Sequence, residues 1–467
     1  MEYRVEEDSL GRINVPAHAY WGAHTARALD NFPISGITLA WQPGLVAGLA
    51  MVKRAAAITN GNIGVIGKST ALAISSACEA VEGGSFRDQF CVDVIQGGAG
   101  TSTNMNANEV IANIALESLG YPLGSYQNLH PIDHVNRCQS TNDVYPTALK
   151  LALVAAVEDL CLELGHLVDS FQDKGDAFGH ILKMGRTQLQ DAVPMSLGQE
   201  FHAFAATIRE DQQRLRESAG LLLECSLGAT AVGTGITAEP GYREQVVDVL
   251  ADISGRKIVP AENLLEATSD VGSFMHLSGM LKRSAIKISK ISSDLRLLSS
   301  GPQNGLGELR LPARQAGSSI MPGKVNPVIP ETLNQIAFAV AGADTTVTMA
   351  ADNGQLQLNA FEPVIGHVLL QALSWLTNGA CILRTHCIEG IEADEELLKT
   401  RVASSAGLAT AFIPVIGYSA AASVAKRALL DNAPVLQTVT SLGLLQPDAA
   451  LTIIEQAVSL PGTRDRG

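Results

Sequence analysis

Residues 147–171 read TALKLALVAAVEDLCLELGHLVDSF, and their pattern decides the fold class. The stretch lacks proline and is rich in Leu and Ala, so it predicts a helix. From Leu151 to Val157 the helix is apolar on every face. Such a helix has to be surrounded by other protein. Similar long patterns follow at 194–226, 272–300, 331–352 and 363–388, separated by short breaks. In 272–300, Lys282, Arg283, Lys287, Lys290 and Asp294 form a polar stripe opposite Leu281, Ala285, Ile288, Ile291 and Leu295. Five long helices with short connections predict a mainly α protein built on a helical bundle. One chain does not easily surround several all-apolar helices, so we expect bundles from different chains to pack together.

Outward from the bundle the texture changes. Residues 1–141 mix short helical stretches, such as KSTALAISSACEAVEG, with glycine-rich turns. Residues 142–393 hold the long helices, and 394–467 read as a small helical domain around GYSAAASVAKRALL and SLGLLQPDAALTIIEQA. Three domains suit 467 residues, too many for one compact core. Segment 363–383 has no Asp, Glu, Lys or Arg and nearly the length to span a bilayer, but it contains Pro363, His367, Gln371 and Asn378. A helix buried among other helices fits it better.

Thirty-three basic against 47 acidic residues give a net charge of −14, which argues against nucleic acid or an anionic membrane as partner. An anionic substrate would meet a repulsive overall field, so its site must supply its own donors. Charged residues make up only 17% of the chain, which suggests that much surface is hidden in subunit contacts. Seven cysteines, with no CxxC and no histidine cluster, read as inert thiols in a reducing compartment. The start, MEYRVEEDSLGR, has no apolar core, so we expect no signal peptide and a cytoplasmic protein.

Four stretches are dense in small donors. Residues 317–327, GSSIMPGKVNP, set two serines and one lysine in a segment too broken for helix or strand. Its apolar residues Ile320, Met321 and Val325 would have to be anchored while the polar ones stay presented. GGAGTSTNMNANEV (97–110) brings Thr101, and QSTNDVYPT (139–147) brings Ser140, Thr141 and Asn142 before a helix. GRTQLQDAVPM (185–195) places Thr187 and Gln188 before another. Each alone is explained by N-capping. Hydroxyls and amides at helix N-termini also make an anion site. The glycine-rich loop is not a phosphate loop, since GxxxxGK[ST] is absent.

Together the four stretches resemble the conserved segments of the aspartase/fumarase superfamily, and GSSIMPGKVNP resembles its signature loop. The likeness runs from VPAHAYWGAHT (15–25) to GYSAAASVAKRA (417–427). QGGAGTS, CQSTNDVYPT, KMGRTQLQDAVP and LLSSGP look more like the aspartase branch than the fumarase branch, which usually has a histidine where this chain has Gln188. The resemblance implies a three-domain homotetramer whose long helices form a multi-chain core. It implies active sites shared among three chains, and deamination of L-aspartate to fumarate and ammonia. Fumarate hydration, or a lyase acting on an N-substituted aspartate, are the alternatives. It further implies Ser318 as the base, with Thr101, Ser140, Thr141 and Ser319 around the carboxylate that becomes an enediolate. Thr187, Lys324 and Asn326 would hold the other carboxylate, and Asn142 and Gln188 would lie near the amine. No cofactor is expected, and a regulatory divalent cation, known in the aspartase branch, has no readable ligand set here. Thr237 and Gln303 depart from the residues usual in the family, as does the ending SLPGTRDRG, which leaves the amine substituent open. His134, Glu331 and Cys138 read as structural.

Overall fold

The structure, a computed structural model, describes residues 2–459; the ending SLPGTRDRG lies almost wholly outside them. All five long helices are present: α1 Thr141–Ala177, α2 Leu197–Leu221, α3 Gly272–Leu298, α4 Val328–Asp352 and α5 Glu362–His386. Among the described residues, sheet is confined to two-stranded pieces, chiefly the hairpins Tyr3–Asp8/Gly11–Pro16 and β1 Leu182–Thr187/β2 Gln190–Ser196.

The chain divides into two compact units. One comprises the chain up to Leu162 with Asp211–Ala285 and Ile336–Thr377; the other comprises Glu163–Glu210, Ile286–Gln335 and the chain from Asn378 onward.

In the first unit, helices Pro43–Asn62 and Lys68–Glu82 pack against each other, and Thr101–Ser118 packs on both. Within the same unit α1 meets α2 where Gln212 Nε2 donates to the Cys161 carbonyl at 2.6 Å. There α3 meets α4 where Ser278 Oγ donates to Asp344 at 2.8 Å. Leu151–Val154 and Val157 are buried within this chain. This corrects the expectation from the sequence: the all-apolar stretch does not itself call for a second chain.

In the second unit, Phe171 of α1 packs on Phe201 and Phe204 of α2. Asn334 of α4 donates to Ser289 and Ser293 on α3, while Arg296 donates to its Oδ1. The apolar line on α3 is buried as its period predicts, from Leu281 at 1% exposure to Leu295 at 0%. The last part of the unit is helical, with Glu395–Ser404, Tyr418–Asp431 and Pro447–Ser459 around Phe412, Val424 and Val439. No helix among the described residues is long and apolar enough to cross a membrane.

Candidate active site

The singled-out residues fall into two groups, one in each unit. In the first unit Ser140 opens α1 with a capping box. Its Oγ accepts from the Asn142 N–H at 3.2 Å, and its own N–H donates to Asp143 Oδ1 at 3.0 Å. The other oxygen of Asp143 accepts from the Gly228 and Thr230 N–H groups. Burial pushes this fully buried carboxyl up to about 7 despite those bonds. Asn142 Nδ2 donates to the Ala231 carbonyl at 2.7 Å.

Thr101 begins the helix Thr101–Ser118 and donates to the Gly98 carbonyl. Gly100 before it holds φ +88°, and a Cβ there would stand 2.4 Å from the Tyr145 ring, so only glycine fits. The structure brings the 101 and 140–142 stretches together through Asn104, whose Nδ2 donates to Thr141 Oγ1 at 3.0 Å. Beneath lies Lys53, wholly buried, donating to Asn136 Oδ1 and Gln139 Oε1. Burial pulls its ammonium down to about 7, against the opposing pull of Asp143.

In the second unit the 312–327 segment is an irregular loop, closed across its base. The Gly317 N–H donates to the Lys324 carbonyl at 2.8 Å, and Asn326 Nδ2 donates to the Gly317 carbonyl at 2.9 Å. A Cβ on residue 317 would stand 2.5 Å from that Lys324 oxygen. Within the loop, Ser318 Oγ accepts from the N–H groups of Ile320 at 3.2 Å and Met321 at 3.1 Å. A cavity of about 510 Å³ opens here, lined by Arg314, Ser318, Met321, Pro322, Lys324 and Val325. Lys324 and Ser319 are exposed. The expectation that the loop's apolar residues are anchored fails: Ile320 is 83% exposed, with Met321 and Val325 about half so. Backbone closure through Gly317 and Asn326 fixes the loop instead.

Thr187 and Gln188 also sit differently from expectation. They do not lead into a helix but form the tip of the β1–β2 hairpin, with Gln188 and Leu189 at φ +54° and +64°. That tip is exposed, and the strand leading to it is tied along its length to buried Glu308. Lys183 lies 3.2 Å from Glu308, Arg186 pairs with it, and Arg401 lies 3.5 Å away. Burial works to raise the Glu308 pKa, but Arg186 and Lys183 bring it below the usual carboxylate value.

Three residues that tie these stretches in place escape a reading of the sequence, Lys53, Asn136 and Glu308, while a fourth, Asn104, lies in the donor-dense 97–110 stretch with no role assigned. Asn104 and Asn136 look like ordinary loop and cap residues. Lys53 is the exception in signal, since it directly follows the apolar run GLVAGLAMV. His134 Nδ1 accepts from the His130 N–H. Glu331 stands in the first turn of α4, and burial pushes the Cys138 thiol up, away from a reactive thiolate. Among the described residues no group of three or more His, Cys, Asp or Glu side chains is placed to hold a metal ion.

A family model described as Lyase matches residues 11–342, and one for the fumarase C C-terminus matches 408–455. The chain is 55% identical over 450 residues to the aspartate ammonia-lyase of Pseudomonas canavaninivorans, covering 96% of this chain and 95% of that one. It superposes on the cobalt-bound fumarate lyase:delta crystallin of Brucella melitensis with a TM-score of 0.95 and 51% identity, covering 98% and 100% of the two chains. The class II fumarase of Schistosoma mansoni gives 0.91 at 35% identity, with 98% of each chain covered.

Proposed function

The chain belongs to the aspartase/fumarase superfamily, and on that premise we propose that it deaminates L-aspartate to fumarate and ammonia with Ser318 as the base. It is a carbon–nitrogen lyase. The observation that carries the chemical reading is the setting of Ser318 Oγ, which already accepts two main-chain N–H groups. Those donors would stabilise the oxygen as an alkoxide, and Lys324 supplies positive charge in the same loop.

The alkoxide takes a proton from the carbon beside one carboxylate, and the electron pair moves onto that carboxylate as an enediolate. Thr101, Ser140, Thr141 and Ser319 donate to it. Collapse of the enediolate forms the carbon–carbon double bond and expels ammonia from the neighbouring carbon. Thr187, Lys324 and Asn326 hold the second carboxylate, while Asn142 and Gln188 lie near the leaving amine. The chemistry so written uses only side chains and main-chain N–H groups, with no cofactor.

The working form is a homotetramer in the cytoplasm, with each site built from three chains. Supporting assembly, α4 leaves an uncharged helical stripe outward: Phe338, Ala339, Gly342, Thr345 and Met349, with Phe338 67% and Met349 64% exposed. The test is incubation of the purified protein with fumarate and ammonium, and separately with fumarate alone. Aspartate in the first and no malate in the second is expected, because Gln188 cannot deprotonate water as a histidine could. Malate formed at a comparable rate would replace this reading with fumarate hydration.

A further inference from the structure

Thr141 is proposed above as a donor to the enediolate, and a hydroxyl can serve that role only if its proton points at the substrate. The surrounding hydrogen bonds fix where it points. The Gln139 main-chain carbonyl can only accept, so the Asn136 atom 3.2 Å from it is the nitrogen, and the Asn136 oxygen meets Lys53 Nζ at 2.8 Å. The Asn136 amide therefore has one orientation, with its oxygen facing Asn104. The Asn104 atom 3.2 Å from that oxygen must be the nitrogen, and the same nitrogen lies 3.0 Å from Thr141 Oγ1. Thr141 Oγ1 consequently accepts from Asn104, and its proton is directed elsewhere. No described group takes that proton.

We infer that Asn104 is a positioning residue, held by the Lys53–Asn136 pair, that keeps the Thr141 hydroxyl turned as a donor toward the substrate carboxylate. This rests on the reading of Thr141 as part of the site. Asn104 is 2% exposed, and its Oδ1 has no partner within the protein. An amide free to turn would offer that oxygen to the Thr141 O–H; the Asn136 oxygen opposes the turn, because it would then face a second acceptor. Pre-setting one hydroxyl proton removes reorientation from the reaction step, which is how arranged donors favour a transition state over a ground state.

Neutron diffraction from the wild-type enzyme, exchanged into D₂O and soaked with succinate, tests the geometry without a variant. The Thr141 deuterium is expected on the succinate carboxylate, with both Asn104 deuterons facing Asn136 and Thr141. A Thr141 deuterium directed at Asn104 overturns the inference. Kinetics test the consequence. Thr141→Val should lower kcat about 100-fold, the loss typical of one oxyanion donor. Asn104→Ala should lower kcat roughly 3- to 10-fold, with KM within about twofold, since the hydroxyl regains its other staggered orientations. The double variant should be no slower than Thr141→Val alone. If Thr141→Val keeps near-native kcat, the placing of Thr141 in the site fails. If it is slow but the Asn104→Ala loss multiplies onto it, the site stands and the positioning role falls. Should the alanine variant fail to fold, the neutron result decides.

Discussion

A serine hydroxyl ionises far above neutral pH, so Ser318 can take a proton from carbon only where its alkoxide is held. The N–H groups of Ile320 and Met321 are already on its oxygen, and a hydrogen bond to a charged group contributes about 1.5–3 kcal/mol against 0.5–1.5 for a neutral one. That difference works selectively on the ionised form. Ser318→Ala should therefore abolish turnover while leaving fold and assembly intact, as read by steady-state kinetics beside circular dichroism and sedimentation. Retention of more than about a tenth of kcat, less than ~1.4 kcal/mol of barrier, would remove Ser318 from the role. Lys324→Ala should raise KM and lower kcat together, because it loses both a carboxylate contact and the charge that favours the alkoxide. An unchanged KM for aspartate would contradict the first of these functions.

Elements divide by how much of their placement is local. The five long helices are legible because apolar period and length are properties of the segment itself, and α3 buries the very line that its pattern picks out. The β1–β2 hairpin is not legible: its turn uses Gln188 and Leu189 in a left-handed conformation that normally marks glycine or asparagine, so the usual turn signal is missing. The helix Thr101–Ser118 begins inside a stretch that reads as a glycine-rich loop, since Gly100 serves its N-terminus. Loop anchoring misleads for the opposite reason, because Ile320 has the chemistry of a buried residue and is exposed. Of the candidate site, the donors are visible as residue types, whereas Lys53, Asn136 and Glu308 act through partners far away in sequence. Glu308 gives the element-scale prediction. Glu308→Gln would remove the carboxylate that Lys183 and Arg186 share, leaving Lys183 paired with Glu200 at 2.6 Å, at a cost of about 1.5–3 kcal/mol. Because the folded Glu308 pKa lies below its unfolded value, this stabilisation is present above the unfolded pKa of about 4.3 and is lost as pH falls through the folded one. Thermal unfolding against pH should show wild type and Glu308→Gln well apart at neutrality and converging in acid. A constant gap would mean that Glu308 stabilises by packing and not by charge.

At the scale of the molecule, a chain of net charge −14 has to gather a substrate with two carboxylates against its own field, and dense local donors answer that need. The same scale raises the question of what covers α4, whose outward stripe from Phe338 to Met349 carries no charge. We place other copies of the chain there, with the 101/140–142, 187 and 318–326 segments of one site drawn from three of them. Mixing inactive parents tests this directly. Thr187→Val and Ser318→Ala should each be nearly inactive alone. Arg186 is left untouched, since its pairing with Glu308 holds the hairpin and its loss would confuse the result. Denatured together and refolded in equal amounts, the two parents form tetramers in which some sites take residue 187 from the Ser318→Ala chain and residue 318 from the Thr187→Val chain. Independent symmetric assembly makes that fraction roughly a quarter, so about 25% of wild-type activity should return. Sites built within single chains would regain nothing, because every chain present carries one lesion. Absence of recovery in tetramers shown by mass spectrometry to be mixed would therefore exclude the shared site, and it would do so without touching the identity of the base.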